Sequence, residues 1–348
     1  MPQRLSQFRD SSELITSNIN VYLTDYGTIS ATDYVANANL FRKAYNDLLS
    51  KRFATNDAIT AYLFCPPGDY YFGDNPSGDS NFSPLTLNHP QGANISIRST
   101  VNLNWSNRPS NSALSSASTV EDRYALLAAF YQTRFHFARN GPVGRAPYTF
   151  GSRGGGGFRN IGIFGRYGGS PGTFNKNSNI WGRGITGSIR LENCCVHGFG
   201  AVTESNPAGT FSINGWGLGA EGAGSAIDAV NVQIVDCMRG YLAESGATIK
   251  TFGDCCVIHN KESGIAAVDG GVIYFAGEGS GYISNHNNYG AHSYSGSVIR
   301  FGNTSGNHAV IGGIRSLRVD TKGLITGQPG KVSYSSAQVL NDGLIRFV

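Results

Sequence analysis

Charge is scarce in this sequence. Asp, Glu, Lys and Arg together make up 14% of its 348 residues, and only 23 residues are acidic. The formal net charge of +4 is small and its Lys and Arg are dispersed along the chain. A nucleic-acid partner needs a concentrated basic face, so none is expected. No apolar run approaches the roughly 20 residues that a bilayer-spanning helix requires. No apolar segment follows Met1-Pro2-Gln3-Arg4 either, which points to a soluble, unprocessed chain without membrane insertion. The seven histidines share no metal-ligand spacing with a carboxylate, and Gly154 to Gly157 is not followed by the Lys-Ser/Thr of a phosphate loop. Neither a metal nor a cofactor is expected.

Cysteine is also sparse, and its placement argues against metal. Cys194-Cys195 and Cys255-Cys256 are adjacent pairs, whereas zinc ligands usually stand two to four residues apart. Asn193-Cys194, Asp236-Cys237 and Asp254-Cys255 each end an extended run. They predict one reduced, buried Cys per repeat in an interior column, favoured over a disulfide, as suits a reducing cytosol.

Glycine, by contrast, is abundant at 47 residues. Three segments repeat one pattern: GYLAESGATIKTF (240–252), GIAAVDGGVIYFA (264–276) and GAHSYSGSVIRFG (290–302). With Gly240, Gly264 and Gly290 superposed, Gly246, Gly270 and Gly296 coincide, as do Ile249, Ile273 and Ile299, at spacings of 24 and then 26 residues. Such a period marks a solenoid. Each unit holds two short extended runs and is too short for a helix pair, so one repeat is one coil of a β-helix.

Upstream of the repeats, Val21 opens a strand. Val35, Ala38, Phe41, Ala44, Tyr45 and Leu48 then recur at three- and four-residue steps, predicting an amphipathic helix to about Phe53 with Thr32 as N-cap. An extended run from Ala61 to Cys65 leads into the turn Pro66-Pro67-Gly68-Asp69-Tyr70. Laid across the first coil, such a helix would cover its unpaired backbone and open core, making Phe41 and Leu48 lid residues.

A strand ending at Asp25-Tyr26-Gly27, a helix around Phe41 to Leu49, and a strand closed by Pro67-Gly68-Asp69-Tyr70, ahead of glycine-rich repeats, resemble the opening of the pectate-lyase-like right-handed β-helix superfamily. The form is that of bacteriophage tailspikes. The segment Thr28 to Asp33 is poorer in Asp and Gly than the family pattern. The resemblance covers most of residues 21–305 and is specific for fold and weak for chemistry. It implies an all-β, right-handed parallel β-helix with an N-terminal capping α-helix. It further implies a homotrimeric tailspike or tail-fibre protein of the virion, assembled in the host cytoplasm, that attaches to the host by binding bacterial surface polysaccharide.

The expected organisation is an anchoring segment at 1–20, the capping helix and first coil at 21–80, and a β-helix at 81–309 of roughly eight to ten coils. A terminating segment follows at 310–348. Residues 1–20 would dock on another virion tail protein or lie along their own solenoid. Between 105 and 157 the pattern breaks into either a loop excursion or an inserted subdomain, in which Ser118 to Glu121 could be a capping box for a helix through Phe130. Coils at 188–200 and 231–242 align at a 43-residue step, leaving a glycine-rich loop at 202–226. Loops growing from a solenoid edge are where such scaffolds place function.

Cleavage of a polysaccharide needs carboxylates, for glycoside hydrolysis two of them about 5–9 Å apart. The best candidate pair is Glu221 with Asp228 or Asp236, against a purely structural reading in which Asn193, Asp236 and Asp254 are corner ladders. Glu244 aligns only with Val268. Aromatic rings at exposed coil edges could instead be sugar platforms. Trp216, set among glycines, is the best candidate, ahead of Tyr241, Tyr274 and Trp181; Trp105, Tyr167, Tyr282, Tyr289 and Tyr294 are further candidates, and many of these rings must simply be packing. Three functions remain open: a receptor-binding spike, a depolymerase (glycosidase or lyase) on the same scaffold, and a structural tail component.

Overall fold

The computed structural model describes residues 13–54, 59–73, 85–137, 141–144, 157–165, 183–199, 216–275, 280–286, 288–302, 307–312 and 314–348. Residues 1–12 of the expected anchoring segment lie outside them, as does Trp181. The described chain is mostly β. Its strands form long parallel sheets without a closed barrel, consistent with a β-helix or solenoid.

Three stacks of parallel strands account for nearly all of it. In the first, Ile19–Tyr22, Ala61–Cys65, Ile95–Ser99, Gly157–Arg159, Ile189–His197, Ala226–Val235, Thr248–Phe252, Val272–Phe275, Val298–Phe301, Leu324–Gly327 and Leu344–Phe347 pair in succession. The second runs from Gly68–Tyr71 through Thr133–Phe137, Gly162–Gly165, the C-terminal halves of Ile189–His197 and Ala226–Val235, Cys255–Ile258, Gly281–His286 and His308–Gly312 to Val332–Tyr334. The third holds Thr86–Leu87, Val143–Gly144, Arg183–Gly187, Trp216–Glu221, Arg239–Glu244, Ser263–Val268, Tyr289–Ser293, Arg315–Val319 and Ala337–Val339.

The register follows the sequence repeat. Ile249 pairs with Ile273, Ile273 with Ile299, Ile299 with Ile325 and Ile325 with Ile345. The first four of these are wholly buried. Because strand side chains alternate faces, one isoleucine per coil suffices to build a continuous apolar column. The glycines have two separate jobs. A Cβ at Gly240 would run into Val257 and the Gly264 carbonyl, and one at Gly264 into Ile283 and the Gly290 carbonyl, so these positions need close approach. Gly246, Gly270 and Gly296 instead sit at turns with φ of +78°, +76° and +70°.

Coils continue past residue 310, where a terminating segment was expected. Thr321-Lys322 and Asn341-Asp342 adopt the same left-handed turn that Ser245-Gly246 and Asp269-Gly270 use, and Leu317 and Gly343–Val348 pair within the chain. The 43-residue alignment is also corrected: Ile189 pairs with Ile227, a 38-residue step. Asn193 therefore stacks on Asn231, not Asp236. Asn231 donates to Asn193 at 3.0 Å, Asn193 donates to Asn160 at 3.2 Å, and all three take positive φ near +50° to +57°. Cys194 and Cys255 share an interior column with Val232 between them, and Cys237 stands outside it.

Helix α1 (Tyr34–Leu49) is capped by Asp33, which accepts from Ala36 N at 2.9 Å, rather than by Thr32. It ends earlier than expected because Lys51–Phe53 pairs as a strand with Glu13–Ile15. Its buried side packs Phe41 against Phe72 and Phe135, at centroid distances of 5.6 and 5.2 Å. The break at 105–157 contains α2 (Asn111–Ser116) and α3 (Val120–Phe130), and the strand Thr133–Phe137 already rejoins the second stack. The N-cap of α3 is Thr119, whose box partner is Asp122 and not Glu121. Leu114, Leu127 and Tyr131 bury against Phe164, Cys195, Val235, Cys256 and Ile258, so the excursion seals the outer side of the second stack.

Candidate functional site

The third stack carries a convergent set of polar and aromatic side chains on its outer side. Leu218, Tyr241, Ile265, Ala291 and Leu317 form one buried register column, and Ala220, Ala243, Ala267, Ser293 and Val319 another. The residues between them must then face outward. They include Leu242, Ala266, His292 and Arg318 in one column, and Glu221, Glu244 and Val268 in the next, with Tyr294 following Ser293.

On this face His292 lies between two tyrosines, 4.8 Å from the Tyr289 ring and 4.6 Å from that of Tyr294. Arg318 stands over Tyr289 at 4.8 Å, donates to its hydroxyl, and donates to Asp320 at 3.0 Å. Next to them Arg239 donates to both carboxylate oxygens of Glu262, at 3.0 and 2.8 Å. Burial, helped by the Arg318 and Arg239 charges, brings the His292 imidazole down to about 4, so it is neutral at physiological pH. Its Nε2 is buried without a hydrogen-bond partner among the described residues, and the same is true of Arg318 Nε and Ser263 Oγ. Buried polar atoms are rarely left unpaired, and His292 Nε2 and Arg318 Nε, neighbours in one outward register column, are two such atoms.

Two acids meet here that the sequence did not pair. Glu221 and Glu244 are direct register partners on neighbouring coils. Strands in a sheet lie about 4.8 Å apart, close to the ~5–5.5 Å carboxyl separation of retaining glycosidases. Glu221 is exposed and Glu244 half-buried. The signal that could have found the pair is the period-2 alternation of Leu218 and Ala220 in WGLGAE, hidden by its glycines.

The expected site residues fare differently. Asp228 and Glu221 lie on different stacks, and Asp228 is buried. Asp236 is 1% exposed, accepts from Arg123 Nε at 2.7 Å and lies 3.1 Å from His197 Nε2. Burial alone would raise its pKa, but His197 and Arg123 hold it below the usual carboxylate value. It is the carboxylate of a buried ion pair, away from the outer face that Glu221 occupies. Tyr241 was expected at an exposed edge, and it is wholly buried inside the coil, edge-on to Phe275 at 5.9 Å. Trp216 belongs to a regular strand rather than a loop, and its ring is covered together with Leu242, Ala266 and Val268. Tyr274 is exposed, on the first stack.

Among the described residues no group of three His, Cys, Asp or Glu could hold a metal ion, and no helix is long and apolar enough to cross a membrane. No family model, curated protein or solved structure matches the chain.

Proposed function

We propose that this chain is a right-handed parallel β-helix closed at its N-terminal end by α1, and that it acts as a tailspike-type attachment protein binding bacterial surface polysaccharide. The observation carrying the binding reading is the cluster of Tyr289, His292 and Tyr294, two half-buried aromatic rings on either side of a neutral imidazole. Flat rings bind the apolar faces of sugars, and a few placed polar groups orient the hydroxyls. The handedness follows from the near-universal right-handed crossover between parallel strands. Support for the spike role comes from the opening motif at Asp25-Tyr26-Gly27 and Pro67-Gly68-Asp69-Tyr70 together with the stacked coils. In that role the chain assembles as a homotrimer, docks through residues 1–20 on another tail protein and resides in the virion.

The register pair Glu221 and Glu244 favours a second reading, a depolymerase of the retaining glycosidase type on the same face. One experiment tests both. Purified chain is incubated with envelope polysaccharides from a bacterial panel, with binding followed calorimetrically and new reducing ends assayed. Binding that Tyr294→Ala removes, without new ends, supports attachment. New ends support the depolymerase, and no interaction with any polysaccharide contradicts both.

A further inference from the structure

Coiling gathers basic residues that the sequence keeps far apart. On the outer side of the first stack, Arg190 pairs in register with Asp228, Asp228 with Lys250, Lys250 with Tyr274, Tyr274 with Arg300, Arg300 with Thr326 and Thr326 with Arg346. A cation therefore occupies every second coil over seven coils. The alternating partners of this column, Ile227, Ile249, Ile273, Ile299 and Ile325, are all wholly buried, so the column itself faces outward. Arg300 and Arg346 are exposed, Lys250 is half-buried, and the Arg190 side chain is 29% exposed and lies 3.9 Å from the Glu192 carboxylate, so the track proper begins at Lys250.

The positions between cations are not interchangeable with them. Asp228 is buried between Arg190 and Lys250. Tyr274 presents an exposed ring with Lys250 Nζ 5.7 Å from its centroid, and Thr326 offers a hydroxyl. A flat ring suits the face of a sugar and a hydroxyl suits its polar edge.

The geometry points to an extended acidic polysaccharide with a carboxylate on alternate sugar residues, lying along this track parallel to the stacking direction. With strands about 4.8 Å apart, successive cations stand about 9.6 Å from one another. Duplex DNA places one charge every ~1.7 Å of its axis, far denser than this column matches. An extended pyranose spans about the height of one coil, so charged and uncharged sugars would alternate in step with Lys250, Tyr274, Arg300 and Thr326. The track is a separate site from the Tyr289–Tyr294 face and does not depend on the role proposed for that face.

Hyaluronate, which carries glucuronate on alternate sugars, is the probe, with neutral dextran and duplex DNA as comparators, titrated into the full chain at physiological salt. Hyaluronate binds and dextran does not. The double variant Lys250→Glu/Arg300→Glu, with circular dichroism and melting temperature unchanged, weakens hyaluronate at least about tenfold. Tyr274→Ala, which leaves the charges in place, weakens it with little change in salt dependence. Tyr294→Ala on the other face leaves hyaluronate binding intact, which keeps failure of this track distinguishable from failure of that site. The proposal is overturned if wild type does not bind hyaluronate, if dextran or DNA binds as tightly, or if the charge-reversed variant binds as well as wild type. Should the double variant misfold, the single substitutions Lys250→Gln and Arg300→Gln supply the same comparison.

Discussion

Arg123 Nε donates to Asp236 across 2.7 Å, joining helix α3 to the corner that follows the strand Ala226–Val235, 113 residues further along the chain. Both side chains are nearly inaccessible, at 6% and 1% exposure. Removing one partner of such a pair strands the other charge in the interior, at a cost of about 3–5 kcal/mol.

Asp236→Asn should accordingly destabilise the chain by about that amount in urea denaturation at pH 7. The folded-state pKa of Asp236 lies below its unfolded value, so its contribution is complete above the unfolded pKa and is lost as pH falls through the folded one. The gap between wild type and variant should stay constant from neutral pH into mild acid and then narrow. A gap that widens toward acid contradicts the assignment.

The two glycine columns should respond unequally to alanine. Gly264→Ala forces a Cβ against Ile283 and the Gly290 carbonyl, and should cost about 3 kcal/mol, the upper end of overpacking. At Gly270 nothing lies within 4 Å of an added Cβ. There only the positive φ is penalised, at about 1–2 kcal/mol. Thermal melts of the two variants rank them directly, and equal losses would show that the coils do not approach one another as described.

All six cysteines are free and buried. Burial pushes the Cys237 and Cys256 thiols up to about 12, leaving almost no thiolate at neutral pH. A thiol-reactive chromophore should titrate none of them in the native chain and all six after denaturation. Rapid native labelling would place at least one near the surface.

Much of the scaffold was legible because glycine turns and interior isoleucines recur once per coil, and any residue type that must repeat in space repeats in sequence. The 43-residue step follows the likeness of Cys194-Cys195 to the Asp236-Cys237 corner, whereas the register neighbour of that pair is Val232-Gln233. What pairs at that position is the Asn193–Asn231 ladder, which a comparison of cysteines overlooks. The docking of α3 was not legible at all, since nothing local links Arg123 to Asp236. The Glu221–Glu244 partnership is hidden for a related reason: it depends on which coil follows which, and a single loop over 202–226 gives Glu221 no coil to belong to. Basic residues dispersed along the sequence still meet in space, because an interval of 20 to 26 residues sets Lys250, Arg300 and Arg346 into one column.

Any release of reducing ends from polysaccharide should run through the paired acids. Glu244→Gln should lower that rate by about 10²–10⁴, the usual contribution of a positioned acid or base, while leaving glycan binding in place. An unchanged rate would remove Glu244 from the chemistry.

The most direct test of the attachment reading is an equilibrium titration of a bound envelope polysaccharide into wild type and Tyr289→Ala/Tyr294→Ala, both shown to melt alike. Wild type should bind and the variant should lose at least about tenfold in affinity, as expected when two stacking rings are deleted. Equal affinity in the two proteins would contradict a sugar site on the third stack.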